Sequence, residues 1–465
     1  MNSFKKQILK KINIVYALVT LMMLSTIAII YPFTNELNII ILAWGALYII
    51  YDFFKEKNFI KSRYSKYLII YMILFLISNL ININLNFVNN MKTFGYTCLF
   101  IFVLYSYKKD RSDKTMQSEL YNINTIVITI SSIVAFASII TFIFLIQFTY
   151  NDIPQGFIYP NHPALWGFYG NPNSGGMVAS VSIIVTFFNL YLCDKLHVKE
   201  LSKLKKIYYY SNILLQWICL ILSNSRGVLM SFLAFVLFAS YYIFTNFLTE
   251  KKNFNRFKSI IISLLLTIII FSVFNLTVSA SKLGLSYIPK YVQKLVTIKE
   301  EDDSNNLILE RDIVEGNVTS GRIDIWKYGL ISLKLDPIFG HGPHNIGLAK
   351  EKIYPNDKEF YITKNNMHNG YIQILLSNGI LAFIAFSIFY VLIIKDSLII
   401  LFTKNNKTSK NKKNLILFIV GLILSISVYG LFENAILLTG SYTTTILWVY
   451  LSYLSTNLDT VKELN

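Results

Sequence analysis

The sequence has little charge, little cysteine and no nucleotide-binding glycine motif. Only 15% of its 465 residues are charged, against about 25% in soluble domains, which excludes an ordinary soluble enzyme. The three cysteines all fall inside apolar runs, so no disulfide framework is indicated. Neither a P-loop nor a Gly-x-Gly-x-x-Gly pattern is present, which argues against nucleotide chemistry. The chain has instead 54% hydrophobic residues and a net charge of +17.

Twelve apolar runs approach the length of about 20 residues that a helix needs to cross a bilayer. They predict an all-α polytopic membrane protein of about twelve transmembrane helices. The runs cover residues 13–31, 37–54, 67–86, 91–107, 124–149, 174–193, 207–224, 227–248, 259–279, 370–394, 415–432 and 434–454. The first run lacks the small-residue cleavage site of a secretory signal, so we expect it to remain as a span.

Basic residues alternate from loop to loop along the chain. The segments that share a side with the N-terminus hold 29 of the 43 Lys and Arg residues, and the opposite side holds 14. Because cytoplasmic loops carry the excess of Lys and Arg, both termini are predicted to be cytoplasmic. The acidic residues divide 11 inside to 15 outside. The net positive charge therefore lies on the predicted cytoplasmic side, where it acts as an orientation signal. It does not indicate nucleic acid as a partner.

One long segment separates spans 9 and 10. We divide the chain into spans 1–9 (1–279), a large external loop (280–369), spans 10–12 (370–454) and a cytoplasmic tail (455–465). A loop of this length in a compact protein is usually functional or disordered. Its aromatic and aliphatic residues favour an ordered cap over the outer face.

Polar clusters open the spans that start at the predicted outer face. Asn173 precedes span 6, Arg226 precedes span 8, His368 and Asn369 precede span 10, and Glu433 precedes span 12. A helix N-terminus favours anions through its free N–H groups and its dipole. Capping alone would also account for Asn173, and Arg226 could instead snorkel at the interface.

Arg322 and two histidines lie in the predicted external loop. Arg322 and Trp326 are one turn apart on a predicted surface helix, although the arginine could simply pair with a loop carboxylate such as Asp324. His344 and His368 lie 24 positions apart without metal-ligand spacing, so no metal is predicted. A neutral histidine beside helix N-termini suits a general base. Two arginines suit a diphosphate ester, because each guanidinium offers a bidentate fork.

At these residues the chain resembles the O-antigen ligase and polymerase superfamily, which includes the bacterial Wzy-type polymerases and the lipid A core ligases. The resemblance rests on the span count, the late external loop and four short motifs in a fixed order. These are Asn171-Pro172-Asn173, Ser225-Arg226-Gly227, Gly321-Arg322 to Trp326 with Asp336-Pro337-Ile338-Phe339-Gly340-His341-Gly342, and His368-Asn369 with Leu375-Leu376-Ser377-Asn378-Gly379-Ile380.

The resemblance implies a metal-independent, inverting membrane glycosyltransferase of GT-C-like architecture, without a cofactor, in the bacterial cell membrane. Its implied donor is a glycan on undecaprenyl pyrophosphate, its acceptor is another glycan, and a flippase and a chain-length regulator are further expected partners beside membrane lipids. Arg226 and Arg322 would hold the pyrophosphate and His368 would activate the acceptor hydroxyl. The expected supporting residues are Asn173, Asn369 and Glu433, with His344 as the weaker candidate base.

The favoured function is polymerisation of lipid-linked repeat units into a surface polysaccharide of capsular or O-antigen type. A ligase that moves a finished glycan to a lipid, teichoic acid or protein is the first alternative. A lipid-linked oligosaccharide flippase is the second, although a transporter should carry charges near the midplane of several spans. Trp326, Tyr354 and Tyr361 could stack on sugars or simply fill the core of the cap.

The orientation can be tested with a single introduced cysteine. We expect the Ser304→Cys variant to react with an impermeant thiol reagent in intact cells, because residue 304 lies in the predicted external loop. The matched Ser202→Cys variant, between spans 6 and 7, should react only after lysis. The reverse pattern would overturn the orientation.

Overall fold

The structure is a computed structural model that describes residues 10–106, 111–159, 163–250, 252, 254–296, 307–309, 321–355, 362–403 and 408–462. The helices α1 to α16 are Lys11–Leu24, Tyr31–Tyr51, Asn58–Lys61, Ser65–Ile81, Phe87–Cys98, Asp113–Ile143, Pro172–Asp194, Lys203–Leu222, Arg226–Glu250, Arg256–Ser286, Ile288–Val296, Arg322–Ser332, Ile346–Ile353, Gly370–Phe402, Lys410–Tyr429 and Tyr442–Lys462. Two π-helical segments follow α2 and α5, at Asp52–Glu56 and Leu99–Leu104. Strands β1 to β3 are Gln147–Tyr150, Ile153–Ile158 and Ala164–Gly167.

The prediction of a mainly helical, polytopic membrane protein is confirmed. In the part of the chain that the structure describes, eight helical segments are long and apolar enough to cross a membrane. They are Tyr31–Glu56, Phe87–Leu104, Asp113–Ile143, Pro172–Asp194, Arg226–Glu250, Arg256–Val292, Gly370–Phe402 and Lys410–Tyr429. Two shorter apolar helices, α1 and α4, coincide with further predicted spans. The total of twelve spans therefore stays a prediction.

The expectation of a purely helical protein is wrong between residues 143 and 167. Helix α6 ends at Ile143, six residues before the predicted end of span 5, and an antiparallel sheet in the order β1-β2-β3 follows. Asn151 and Asp152 both have positive φ, of 47° and 60°, which suits the tight turn of a two-residue hairpin. The apolar run of span 5 concealed this change, because hydropathy alone does not separate a strand from the end of a helix.

The predicted start of span 12 at Glu433 is also wrong. Helix α15 ends at Tyr429, α16 begins at Tyr442, and the chain between them is irregular. This stretch is nevertheless buried, with Ile436 fully inaccessible and its carbonyl accepting a hydrogen bond from the Trp448 indole at 3.0 Å. Backbone groups that leave a helix inside a protein need such partners. Glu433 therefore lies in a buried connection rather than at a helix N-terminus.

The chain divides into two compact units. Unit 1 comprises Met1–Leu18, Glu36–Ser112 and Ile313–Asn465, and unit 2 comprises Val19–Asn35 and Asp113–Asp312. Both units are therefore assembled from segments that are distant in the sequence.

A buried ion cluster holds one end of unit 1 together. The Arg63 side chain is only 7% exposed and bonds to Asp396 near the end of α14 and, at 2.6 Å, to Asp459 on α16. The Tyr105 hydroxyl donates to the Arg63 carbonyl at 2.5 Å. A buried guanidinium is tolerated only when it is paired and hydrogen-bonded. The cluster thus ties the turn before α4 to α14 and α16.

Helix α14 is interrupted by a loop from the same unit. Gly379 has φ 77° and ψ 176° in the middle of the helix, a conformation that only glycine adopts readily. The loop that contains Gly340 occupies the gap, and the His341 N–H donates to the Leu376 carbonyl at 2.9 Å. A Cβ on Gly379 would lie 2.1 Å from the Ile338 carbonyl oxygen. The motif around Gly340 is therefore hydrogen-bonded to the motif around Gly379.

Unit 2 is held by buried amides and hydroxyls on α6, α7 and α8. The Asn124 amide donates to the Asn189 side chain at 3.0 Å. The Asn212 amide donates to the hydroxyls of Ser182 and Thr186 at 3.1 and 2.9 Å. All three asparagines are at most 1% exposed. Such hydrogen bonds join helices that have no hydrophobic driving force to associate in lipid.

The ion cluster of unit 1 should contribute strongly to stability. Asp396→Asn would leave the buried Arg63 with less compensating charge, so we expect the free energy of unfolding to fall by about 3 kcal/mol. Asp194→Asn is the matched control, because Asp194 pairs with Lys206 at 3.0 Å with both side chains more than 40% exposed; it should cost about 0.5 kcal/mol or less. Thermal unfolding in detergent checks both, and equal shifts would contradict the assignment.

Candidate functional site

The predicted site residues are shared between the two units. Unit 1 holds Arg322, His344, His368, Asn369 and Glu433, and unit 2 holds Asn173 and Arg226. The structure brings three residues of unit 1 into direct contact, and the other four have local roles that are described in turn.

Glu433 is the centre of the contacting group. Its Oε2 lies 2.9 Å from Nδ1 of His368, and its Oε1 accepts a hydrogen bond from Nη2 of Arg322 at 3.1 Å. The Glu433 side chain is 17% exposed, that of Arg322 24% and that of His368 40%. One carboxylate thus binds an arginine and a histidine from two other segments, and the histidine has the most access to a substrate.

The contact with Glu433 determines which nitrogen of His368 is free. A carboxylate beside Nδ1 favours a proton on that nitrogen, because the N–H donates to the carboxylate. The Nε2 atom then carries a lone pair and can accept a proton. This is the arrangement in which an acidic residue orients a catalytic histidine.

His368 has an unusual backbone conformation. His368 has a positive φ of 46°, which is uncommon for a residue other than glycine. Its N–H donates to the Asn366 side chain at 2.9 Å. The next residue, Asn369, caps α14 by accepting from the N–H groups of Tyr371 and Ile372 at 3.0 and 3.1 Å. Asn369, rather than His368, therefore supplies the cap of the helix.

Arg322 is the first residue of α12 and follows Gly321, which has φ 74°. The sequence left open a pairing with Asp324 or another carboxylate, and the partner found is Glu433, 111 residues away. One nitrogen of the guanidinium serves this contact. The Arg322 Nε is buried without a hydrogen-bond partner in the described part of the chain. A buried donor of this kind is costly unless it serves a ligand or water.

His344 is held in a different place in unit 1. Its Nε2 lies 3.0 Å from the Thr93 hydroxyl, its N–H donates to Asn90 at 2.9 Å, and its carbonyl accepts from Asn86 at 3.1 Å. Burial, together with the positive charge of Lys92, lowers the pKa of His344. Within the described residues no ion pair or hydrogen bond joins His344 to Glu433. These contacts attach the loop to α5.

The neighbouring His341 is also a structural residue. Its side chain is 4% exposed, its Nε2 lies 3.1 Å from the Ser332 carbonyl, and its Nδ1 lies 3.6 Å from Asp336. Burial lowers the pKa of His341, and Asp336 opposes this shift. These contacts join the loop that enters α14 to the end of α12.

Unit 2 places Asn173 and Arg226 near two adjacent helix N-termini. Arg226 is exposed and begins α9, and Asn173 lies in the first turn of α7. The cap of α7 is Asn171, whose Oδ1 accepts from the Ser174 N–H at 2.8 Å; the interpretation of Asn173 as the cap is wrong. A Cβ on Gly176 would lie 2.6 Å from the Ser223 hydroxyl, so α7 packs closely against the segment that leads into α9.

Lys350, on α13, was not noticed in the sequence. Its side chain is fully buried, and its ammonium group donates to the Lys364 carbonyl at 2.6 Å. One turn earlier, the Gly347 N–H donates to the Asn365 side chain at 2.8 Å. Helix α13 therefore holds the segment that leads into His368. No sequence signal marks this lysine, because its burial depends on a segment from elsewhere in the loop.

Comparison with known families agrees with the resemblance drawn from the motifs. Residues 211–387 match the family described as O-antigen ligase, which confirms the relation to the O-antigen ligase and polymerase superfamily over that part of the chain. The matched range contains Arg226, Arg322 and His368, whereas Asn173 and Glu433 lie outside it. A search of curated proteins found no match.

The buried Lys350 should make stability depend on pH. Burial lowers the pKa of this lysine from 10.5 to about 8, so the unfolded chain binds a proton that the folded chain has lost between these values. The free energy of unfolding should therefore rise with pH, by about 2 kcal/mol from about pH 7.5 to about pH 9.5. The Lys350→Met variant should lack this rise.

The measurement compares thermal unfolding of the wild-type and Lys350→Met proteins in detergent at each pH. Lys352→Met is the matched control, because Lys352 lies on the same helix and is exposed; it should follow the wild type. An identical pH response of all three proteins would show that Lys350 is not the group responsible.

Proposed function

We propose that the protein is a membrane glycosyltransferase that polymerises undecaprenyl-pyrophosphate-linked repeat units into a surface polysaccharide. The observation that carries the proposal is the contact of Arg322 and His368 with one carboxylate, Glu433. The match of residues 211–387 to O-antigen ligases supports a function of the ligase and polymerase type. The apolar helices support a membrane location.

In the proposed reaction His368 is the general base. Its Nε2 takes the proton of an acceptor sugar hydroxyl while Glu433 holds Nδ1–H and stabilises the imidazolium that forms. The acceptor oxygen forms a bond to the anomeric carbon of the donor. The bond from that carbon to the pyrophosphate oxygen breaks, and its electron pair leaves with the lipid pyrophosphate. Attack opposite the leaving group inverts the configuration.

The leaving group is the part of the substrate that gains negative charge. We assign Arg322 to it, because a guanidinium group offers a bidentate fork to phosphate oxygens and stabilises charge that develops in the transition state. The same role for Arg226 rests on its sequence motif alone. Arg322 has a second role in this scheme. Its contact with Glu433 balances the carboxylate that orients His368. Arg226 begins α9, where the helix dipole also favours an anion.

The membrane arrangement completes the proposal. Twelve spans with both termini in the cytoplasm of a bacterial cell would put the segment 280–369 and the three contacting residues at the outer face. Support comes from the distribution of Lys and Arg along the chain. A substrate delivered by a flippase would reach the site from that side, its lipid tail remaining among the helices. The chemistry described uses no metal and no cofactor.

A ligase is the second candidate, because the match of residues 211–387 to O-antigen ligases supports it as well. It would use the same residues to move a finished glycan to a lipid, a teichoic acid or a protein. The two functions differ only in the acceptor. The products of a defined reaction therefore distinguish them, and a flippase would produce no new glycosidic bond.

The decisive experiment is reconstitution of the purified protein in liposomes with undecaprenyl-pyrophosphate oligosaccharide and EDTA. Products longer by whole repeats indicate a polymerase, and transfer only to an added second acceptor indicates a ligase. Absence of a new bond until divalent metal is added would overturn the metal-free chemistry. No glycosidic bond under either condition would overturn the transferase assignment.

Variants test the roles of the residues in the same assay. His368→Ala should lower kcat by a factor of about 100 to 10,000, because the general base is lost. Glu433→Gln should lower kcat at least about a hundredfold, because an amide can favour the wrong tautomer of the histidine. His344→Ala, which removes the competing histidine, should keep most of the activity. Loss of activity in His344→Ala and not in His368→Ala would reverse the assignment.

A further inference from the structure

The backbone of Met367, the residue just before His368, is held at both its N–H and its carbonyl. The Met367 carbonyl accepts a hydrogen bond from the Trp326 indole N–H at 2.9 Å, and the Met367 N–H donates to the Gln373 side chain at 2.9 Å. Met367 is fully buried and Gln373 is 3% exposed. Both bonds are made away from water, where a missing partner would cost the most.

This support matters because the backbone of His368 is strained. The left-handed conformation is unfavourable for a residue other than glycine and persists only where its surroundings impose it. The following residue is fixed by the cap that Asn369 forms on α14. The preceding one is fixed by Trp326 and Gln373. His368 is therefore held at both ends, and its ring points to Glu433 as a result.

Trp326 also links the two partners of Glu433. It lies one turn after Arg322 on α12, so a single helix supplies the arginine and holds the peptide before the histidine. The helix packs tightly at this place, because a Cβ on Gly329 would lie 2.7 Å from the Met367 sulfur. A shift of α12 would move Arg322 and His368 together.

We propose that Trp326 and Gln373 are positioning residues that hold His368 in its left-handed conformation and so aim its imidazole at Glu433. The inference rests on the proposed function only for its effect on catalysis. It also separates Trp326 from a sugar-stacking role, since the indole N–H is hydrogen-bonded to the backbone and the side chain packs against the buried cluster of Ile325, Ile346, Met367 and Leu376. Of the other aromatics considered for stacking, Tyr354 forms an edge-to-face pair with Tyr328, and Tyr361 lies outside the described residues.

Two apolar variants remove the bonds. Gln373→Met keeps almost the same side-chain size, whereas Trp326→Phe also removes one ring. Trp326→Phe loses the indole N–H, and Gln373→Met loses the acceptor oxygen. We expect each to lower kcat about tenfold or more, because misplacement of a catalytic group by about 1 Å can cost about a hundredfold. The KM for the lipid-linked donor should stay within about twofold, since neither residue touches the pyrophosphate in the scheme. Trp217→Phe is the matched control, because its indole donates to Ser281 at 3.0 Å in unit 2.

A second readout does not depend on activity. The His368 side chain is 40% exposed, so diethyl pyrocarbonate can modify it, and peptide mass spectrometry reports the rate at this residue alone. A ring released from Glu433 should react about threefold faster or more in Trp326→Phe and Gln373→Met, and at the wild-type rate in Trp217→Phe.

The outcomes separate the two proposals. A lower kcat together with faster modification of His368 supports positioning. A raised KM with unchanged kcat would place Trp326 against the substrate and overturn it, as would an unchanged modification rate in both variants. If the wild-type protein proves to have no transferase activity, the proposed function fails, and the modification rates still decide whether these residues position His368.

Discussion

The carboxylate of Glu433 is the interaction on which the described site depends. It accepts hydrogen bonds from Arg322 on one helix and faces His368 at the start of another, while its own backbone belongs to a buried connection between α15 and α16. A half-buried carboxylate needs positive or N–H partners, and a half-buried arginine needs a carboxylate. The histidine gains a defined tautomer from the same contact. The same contacts therefore pair the charges of Arg322 and Glu433 and orient the ring of His368.

The surrounding backbone is built to keep this arrangement rigid. Gly430 accepts a hydrogen bond from the Gly370 N–H at 2.7 Å, so the end of α15 is joined to the start of α14 three residues before Glu433. Further along α14, the break at Gly379 admits the loop that carries His341. Each irregularity exposes backbone groups that other segments of unit 1 satisfy. These backbone conformations would be unfavourable in isolation, and they are kept because they place a few side chains precisely.

The motifs noted in the sequence have unequal roles in this structure. Arg322 and His368 both contact Glu433. His341 and His344 instead form hydrogen bonds that attach their loop to α14 and α5. The glycines of the same motif permit that attachment. A motif can therefore combine residues of the candidate site with residues that only shape the backbone. Residue type alone did not separate the two histidines that precede an asparagine, since both are polar and both lie in the same predicted loop.

The sequence by itself determined the membrane class and the approximate positions of most apolar helices, because hydropathy is summed over local windows. It also identified Arg322, His368 and Glu433 as candidates. Only the tertiary structure decided that these three meet, that Asn171 and Asn369 are the caps, and that a sheet follows α6. Contacts between residues 65 to 111 positions apart leave no periodic trace in a chain. These contacts form because buried polar groups need hydrogen-bond partners, and only the complete fold brings such partners together.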